Sequence, residues 1–577
     1  MPLFRVALGY DELFGAKPSW DGLLERLHQY NLSHVLGTLG RISGVLEHLE
    51  RKHAEGQKRV CDGLLGEEEG RRVWREILKW IRQEKASGAL ESEPSLFHDL
   101  QLINLAKVAF LHLEPGPLEG EPPLQPLGEA LLMLNNLQQG VLGDNPGVDA
   151  STADGARIWH QHFVANGLFH QNDVEIHALP RFYDLYLTDK RKHHGHPSYV
   201  DLPARLKHAT GFTPDGFWFI LFALMAHWRN IQPEGIAEGR WVMDRSTYFG
   251  SYAFPKEDID RFFALVGTDI VSMKHEVMNT YSMSDLKPFH VLPFAKWPLV
   301  EMGNLVSCVS VRLFKQKLTT GLHHLFLDEN KFPDKGDRRR YLNYMGAVFE
   351  DYVSRLLDRA FPPASNRCLK ADVLTKAVGD GKSCDFSLLY GDAIILLETK
   401  ATRFTLGART EANWEEYERQ FTDIFLDGAS QISNTIDAIE SGRLVHLGID
   451  PNRIRSYFPL IVTLEHLPMS RVIYRRVYEE ICTKGVLQHP KTRPLQAIDI
   501  GELEFIEIGL HAGRSLRDIL QEKLATDDGR DESMSNYLIG RREPFILGPV
   551  NKYLGDLYTQ IGDRAIEFFR RNKREQD

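Results

Sequence analysis

Residues 384–401 read CDFSLLYGDAIILLETKA, two apolar runs broken only by Gly391–Asp392 and edged by charges. A two-residue Gly-Asp step between β-rich runs is a short hairpin signal. With that pair as the turn, Tyr390 faces Ala393, and counting outward brings Asp385 opposite Glu398. Side chains alternate along a strand, so Glu398 shares its face with Ile394 and Leu396, and Lys400 follows one pleat along. Leu389 lines the same face from the other strand. Directly opposed residues of a ladder hold their Cβ atoms ~4.5–5.5 Å apart. Two carboxylates so placed on an apolar face repel, and a fold gains nothing from them. A divalent cation would change that balance. Mg²⁺ takes carboxylate oxygens and waters and leaves positions for a phosphate. A lysine alongside can orient a water and offset charge developing on a phosphoryl group.

The segments around this hairpin predict an α/β unit. RRYLNYMGAVFEDYVSRLLDRAF has helical spacing, and CLKADVLTK reads as a strand. A long helix is predicted from Glu411 to Glu440, its inner stripe being Tyr417, Phe421, Ile424, Gly428, Ile432 and Ile436. YFPLIVTLE reads as a buried strand and LQAIDIGELEFIE as a strand entering a helix. Helix, three meandering strands, helix and strand is the order of a mixed sheet flanked by helices.

Asp385, twelve residues, then Glu398-Thr399-Lys400 on a hairpin resembles the PD-(D/E)XK phosphodiesterase superfamily, with its restriction-endonuclease-like fold. The resemblance covers residues 338–510. It implies that Asp385 and Glu398 hold a metal, Mg²⁺ with Mn²⁺ as substitute, and that Lys400 serves the attacking water. It further implies an acidic role, as metal ligand or water contact, for Glu350 on the preceding helix. An inward glutamine on the following helix is matched by Gln431, with Gln420 as competitor. Cys384 stands where the family has proline. The implied activity is hydrolysis of phosphodiester bonds in nucleic acid, DNA in the first place. A large helical region joined to such a nuclease is similar in architecture to prokaryotic antiviral-defence or restriction-type effectors. The alternative is a non-catalytic nuclease-fold module for nucleic-acid binding or scaffolding, against which the complete Asp, Glu and Lys set argues.

The whole chain, 577 residues, is too long for one ordinary core. Residues 1–330 read as mainly helical, in one or two subdomains, and suit substrate engagement, regulation, or contact with a protein partner or a second copy. The polar LDENKFPDKGDRRRY marks a joint near residue 335, the nuclease domain spans 336–510, and 511–577 is a helical extension. With 69 Lys plus Arg against 79 Asp plus Glu, the net charge of −10 advertises no polyanion partner. Contact with nucleic acid must then come from local basic groups. Arg338, Arg339 and Arg340, with Arg403 and Arg409 just past Lys400, are the candidates for backbone phosphates.

Five scattered cysteines without CxxC spacing fit a reducing compartment. The N-terminus lacks a signal-peptide pattern, and FWFILFALMAHW is shorter than the ~20 residues a span needs. A cytoplasmic protein without membrane contact is expected. GDGKS (379–383) lacks the first glycine of a phosphate-binding loop, since Lys376 stands there, and reads as a turn before the Asp385 strand. His160, His162 and His170, and His193, His194 and His196, lack flanking ligands at zinc spacing.

Overall fold

The computed structural model describes residues 4–49, 53–86, 92–120, 122–143, 175–188, 193–229, 242–250, 254–362, 367–379, 382–411, 413–467, 469, 471–547 and 550–571. The hairpin lies at the centre of a five-stranded sheet. Its elements are α1 (Lys335–Ala360), β1 (Cys368–Lys370), α2 (Ala371–Val378), β2 (Phe386–Tyr390), β3 (Ala393–Lys400), α3 (Leu406–Thr410), α4 (Trp414–Glu440), β4 (Ser456–Thr463), α5 (Arg471–Thr483), β5 (Gln496–Asp499) and α6 (Ile500–His511). The spatial order is β5-β4-β3-β2-β1. The pairs β1–β2 and β2–β3 are antiparallel, as short connections allow, whereas β3–β4 and β4–β5 are parallel. Parallel neighbours need long crossovers, and α4 and α5 supply them.

Caps set the helix starts. Asp334 accepts from the N–H groups of Gly336 and Asp337 to open α1, and Asn413 accepts from Glu416 N–H to open α4. Asp499 and Glu502 form a capping box at the start of α6. The stripe predicted for α4 is the buried one: Tyr417, Phe421, Ile424, Ile432 and Ile436 join Ile394, Leu396 and Ile461 in one core cluster. The segment CLKADVLTK departs from its expected extended form. Only Cys368–Lys370 is a strand; Ala371–Val378 is helical, because Leu374 and Val378, four residues apart, bury together on one side.

By compactness the chain divides into two units, one of Phe163–Pro203 and Leu327–Gln560 with Met1, the other of Pro2–His162, Ala204–Phe326 and Ile561–Asp577. This division runs elsewhere than the 1–330, 336–510 and 511–577 read from the sequence. Long-range ion pairs explain the extra segments of the sheet-bearing unit. Arg181 makes a two-pronged pair with the buried Glu504 of α6, both bonds 2.7 Å, and Tyr352 of α1 donates to the same carboxylate at 2.7 Å. Asp184 accepts from Arg355 of α1 and from Tyr553, each at 2.8 Å.

The other unit is mainly helical, as expected, with helices that include Leu32–His48, Glu67–Ala86, Asp99–His112, Gln125–Gly143 and Pro214–Arg229. The last contains FWFILFALMAHW and is a core helix, with Phe217, Trp218, Leu221, Leu224 and Trp228 buried. Within the region expected to be mainly helical, residues 243–308 hold a four-stranded mixed sheet ordered Met243–Asp244, Leu305–Cys308, Leu299–Met302, Gly267–Asp269. Strands of two to four residues are too short to show alternation. Among the described residues no single helix is long and apolar enough to cross a membrane, although Leu202–Thr210 and Pro214–Trp228, bent by 62°, pass together on length and composition.

The packing of α4 on the sheet hinges on Gly428. A Cβ there would lie 2.8 Å from Ile461 Cδ1 on β4 and 3.5 Å from Glu398 Cγ on β3. Gly428→Val should therefore lower stability by about 1–3 kcal/mol, the usual cost of overpacking. Urea unfolding of the variant and the parent measures the difference.

Candidate active site

The ladder runs from Tyr390↔Ala393 to Phe386↔Leu397 in the register that the Gly391–Asp392 turn predicts. One step further, the expected cross-strand pair of Asp385 and Glu398 is not formed. Asp385 sits at a bend before β2, and its Oδ2 accepts from Thr399 N–H at 2.8 Å and from the Thr399 hydroxyl. The carboxylate thus takes a backbone donor of β3 that a further ladder pair would otherwise have engaged. Behind it, Cys384 N–H donates to Thr435 Oγ1 of α4 at 2.9 Å and fixes the entry to the strand.

Glu398 is 3% exposed, at the last fully buried position of β3. Its Oε1 lies 3.0 Å from Lys400 Nζ, while its Oε2 is buried with no hydrogen-bond partner among the described residues. Burial first, then the Asp385 charge, pushes the Glu398 carboxyl up to about 8, with Lys400 pulling the other way. Glu350 on α1 is pushed up to about 7 by burial and again by Asp385, then by Asp351 and Asp372. Asp385 itself is raised by burial, against the pull of its Thr399 hydrogen bonds and of Lys400. Asp385 is therefore the acid whose charge both glutamates feel. Burial works against the Lys400 cation, but Glu398 and Asp427 outweigh it and hold its pKa above the ordinary lysine value.

Asp427 is the residue that sequence reasoning missed. It stands next to Gly428, where α4 packs closely on β3 and β4, and its Oδ2 makes a short ion pair with Lys400 Nζ. Gln431, one turn on, donates from Nε2 to the same Asp427 oxygen at 3.0 Å. Gln431 thus joins the site through Asp427 and not by direct contact with Glu398 or Lys400. Its competitor Gln420, also on α4, accepts from Thr405 N–H at 3.1 Å and so holds the loop before α3. The signal available in the sequence was the glycine itself: a Gly in an apolar stripe marks close approach, and its polar neighbours are then first to reach the strand.

No protein-family model matches the chain, and no curated protein or solved structure is significantly similar to it.

The remaining candidates separate clearly. Arg338 is engaged by Glu329 at 2.6 Å and by the carbonyls of Phe332 and Pro333, and Arg340 by Asp337 at 2.7 Å. Arg339 is exposed. Arg409 forms a buried ion pair with Glu465. His193 and His196 pack on the Tyr344 ring and His194 on Tyr199. His160, His162 and His170 lie outside the described residues, as do Asp380 and Gly381 of GDGKS. Lys382 and Ser383 precede Cys384 and Asp385, which lead into β2.

Whether the acids suit a divalent cation turns on two observations. Among the described residues no three His, Cys, Asp or Glu side chains are gathered as a finished metal-binding group. Yet Glu398 keeps one buried carboxylate oxygen unpartnered while its other oxygen and Asp385 Oδ2 are held by Lys400 and Thr399. Hard oxygen donors, two of them raised by the charge of Asp385, are the donor set a Mg²⁺ ion neutralises, so the residue types and the orphaned oxygen fit the ion. The site also lies where open sheets bind ligands, at the carboxyl ends of parallel strands, with Lys400, Thr463 and Asp499 level in register.

The raised carboxyl makes stability pH-dependent. Glu398 ionises near 4.5 in the unfolded chain and at about 8 in the folded one, so the folded state holds an extra proton between those values. The contribution of this group is thus most favourable at acid pH, falls as pH rises through that window, and levels off above it. Asp385→Asn keeps an acceptor for Thr399 and removes one like charge. Near neutral pH, without metal, the variant should be as stable as the parent or more stable by about 1 kcal/mol. Urea unfolding at acid, neutral and alkaline pH should show the gain widening as pH rises; a variant that melts far below the parent would make Asp385 a structural residue.

Proposed function

We propose that the chain is a metal-dependent nuclease of the PD-(D/E)XK type that hydrolyses phosphodiester bonds, with DNA as the first substrate to test. The observation that carries this reading is the buried, unpartnered Oε2 of Glu398 beside the Asp385 charge, with Lys400 on the same strand end. A fold has no use for a half-satisfied buried carboxylate next to another acid. A phosphodiester-cleaving site does.

Asp385, Glu398 and Glu350 would hold Mg²⁺ or Mn²⁺, which supplies Lewis-acid stabilisation of charge on the phosphoryl oxygens. The protein's own groups divide the remaining tasks. Lys400 keeps its ammonium charged between Glu398 and Asp427 and places it where negative charge grows on the phosphoryl group. Glu350, pushed up to about 7 by burial and the Asp385 charge without metal, would be ionised by the cation it helps to hold. Asp427 and Gln431 keep the Lys400 side chain in place. The mainly helical second unit suits recognition or control, as in a defence effector, by analogy of architecture alone.

The rival reading is a nuclease-fold module that binds nucleic acid without chemistry, favoured by the lack of a finished ligand group among the described residues. Plasmid incubated with and without Mg²⁺ separates the two. Cleavage should require Mg²⁺ or Mn²⁺, and Ca²⁺ should support binding with little cutting. Lys400→Ala should abolish cleavage and leave affinity nearly unchanged. Added Mg²⁺ should raise the Tm of the parent and barely move that of Asp385→Asn. Full activity in excess EDTA, or an active Lys400→Ala protein, removes the assignment.

A further inference from the structure

Three cations stand in or near the loop that leaves the carboxyl end of β3, and two of them are neutralised. Lys400 pairs with Glu398 and Asp427, and Arg409 with Glu465. Arg403 is different. It is 9% exposed, its Nε is buried without a partner, and no hydrogen bond or ion pair joins it to any described residue. Its guanidinium rests over the ring of Tyr186, 6.0 Å from the centroid, a contact that steadies the group without using its N–H donors. Glu465, the partner of Arg409, is spent on this loop: it also accepts from Phe404 N–H at 2.8 Å.

The loop that carries Arg403 is pinned on both sides. Leu464 N–H donates to Lys400 O at 3.0 Å, Phe404 N–H to Glu465, and Thr405 N–H to Gln420 Oε1 at 3.1 Å. Three residues of chain reach at most ~11 Å, so Arg403 is held within that distance of Lys400. A buried cation without a counter-charge is costly, and the cost is removed when an anion arrives. The planar fork of a guanidinium matches a phosphate in two-pronged fashion, which a lysine cannot copy.

We propose that Arg403 binds a backbone phosphate of the substrate strand, next to the phosphate that is cleaved. The inference rests on the nuclease reading and deepens it. Arg403 is a positioning residue for the strand, whereas Arg338, Arg340 and Arg409 are engaged by carboxylates of the fold.

The test uses the full-length protein, a short labelled DNA duplex and its single strands, and Ca²⁺ to permit binding without cleavage. Affinity is followed across a series of salt concentrations for the parent, Arg403→Gln and Arg403→Lys. Arg403→Gln should weaken binding roughly tenfold and reduce the slope of log K against log salt by about 0.7–0.9, the share of one phosphate contact. In Mg²⁺ its KM should rise with kcat little changed, and Arg403→Lys should recover the slope but only part of the affinity. The Tm of Arg403→Gln should equal or exceed that of the parent, because a buried unpaired charge is gone. A Tm far below the parent would make Arg403 structural and overturn the proposal. So would binding within twofold of the parent with an unchanged salt slope, in a protein that itself cuts DNA. If the parent neither binds nor cuts, the nuclease reading fails first, whatever the Arg403 variants do.

Discussion

The register of β2 on β3 decides what the carboxyl end of β3 contains. Gly391 adopts a φ of 68°, which the first position of a type II′ turn requires and which costs a glycine little. From that turn the pairs follow to Phe386↔Leu397. A slip of one residue would move Glu398 and Lys400 to the opposite face, away from Gly428 and Asp427. The same slip would turn Ile394 and Leu396 out of the core they share with α4. The apolar positions that hold the sheet to the helix therefore also hold the charges in place. Stability and the site are written on one face of one strand.

Two fully buried glutamates in the same unit show how differently such a charge can be treated. Glu504 receives a two-pronged pair from Arg181 and a hydroxyl from Tyr352, so its desolvation is offset on both oxygens. It ties the Arg181 segment to α1 and α6. Glu398 has a single cation on one oxygen, none on the other, and an acid as neighbour. The first arrangement serves cohesion. The second leaves free energy unrecovered within the folded chain, which is the physical reason to look for a ligand there and not at Glu504.

The hairpin and the α4 stripe were legible because each is a local pattern: a two-residue turn between alternating runs, and apolar residues at helical spacing. The nearness of Asp385, Glu398 and Lys400 was expected from that register, while Glu350 entered only through the family resemblance. What the sequence did not yield is long-range. Nothing local ties Arg181 to Glu504 or Asp184 to Arg355, so the membership of Phe163–Pro203 in the sheet-bearing unit was invisible. The strands in 243–308 are too short for periodicity to reveal. The end of the ladder was misjudged because pair counting treats every residue as a backbone partner. Asp385 instead offers its side chain to Thr399, a competition that short polar residues often win at element ends.

Asp427 shows why a family pattern alone leaves a site incomplete. A lysine wedged beside a single buried glutamate would form a closed pair, with its charge spent on one partner. Here Lys400 Nζ is shared between Glu398 on its own strand and Asp427 on α4, and Gln431 steadies Asp427 from the next turn. On the nuclease reading the sharing has a purpose. If Glu398 were to hold a cation, Asp427 would still anchor the Lys400 ammonium. The helix that forms the crossover between β3 and β4 thus carries the second anchor, and Gly428 is what lets that helix come near enough to do so.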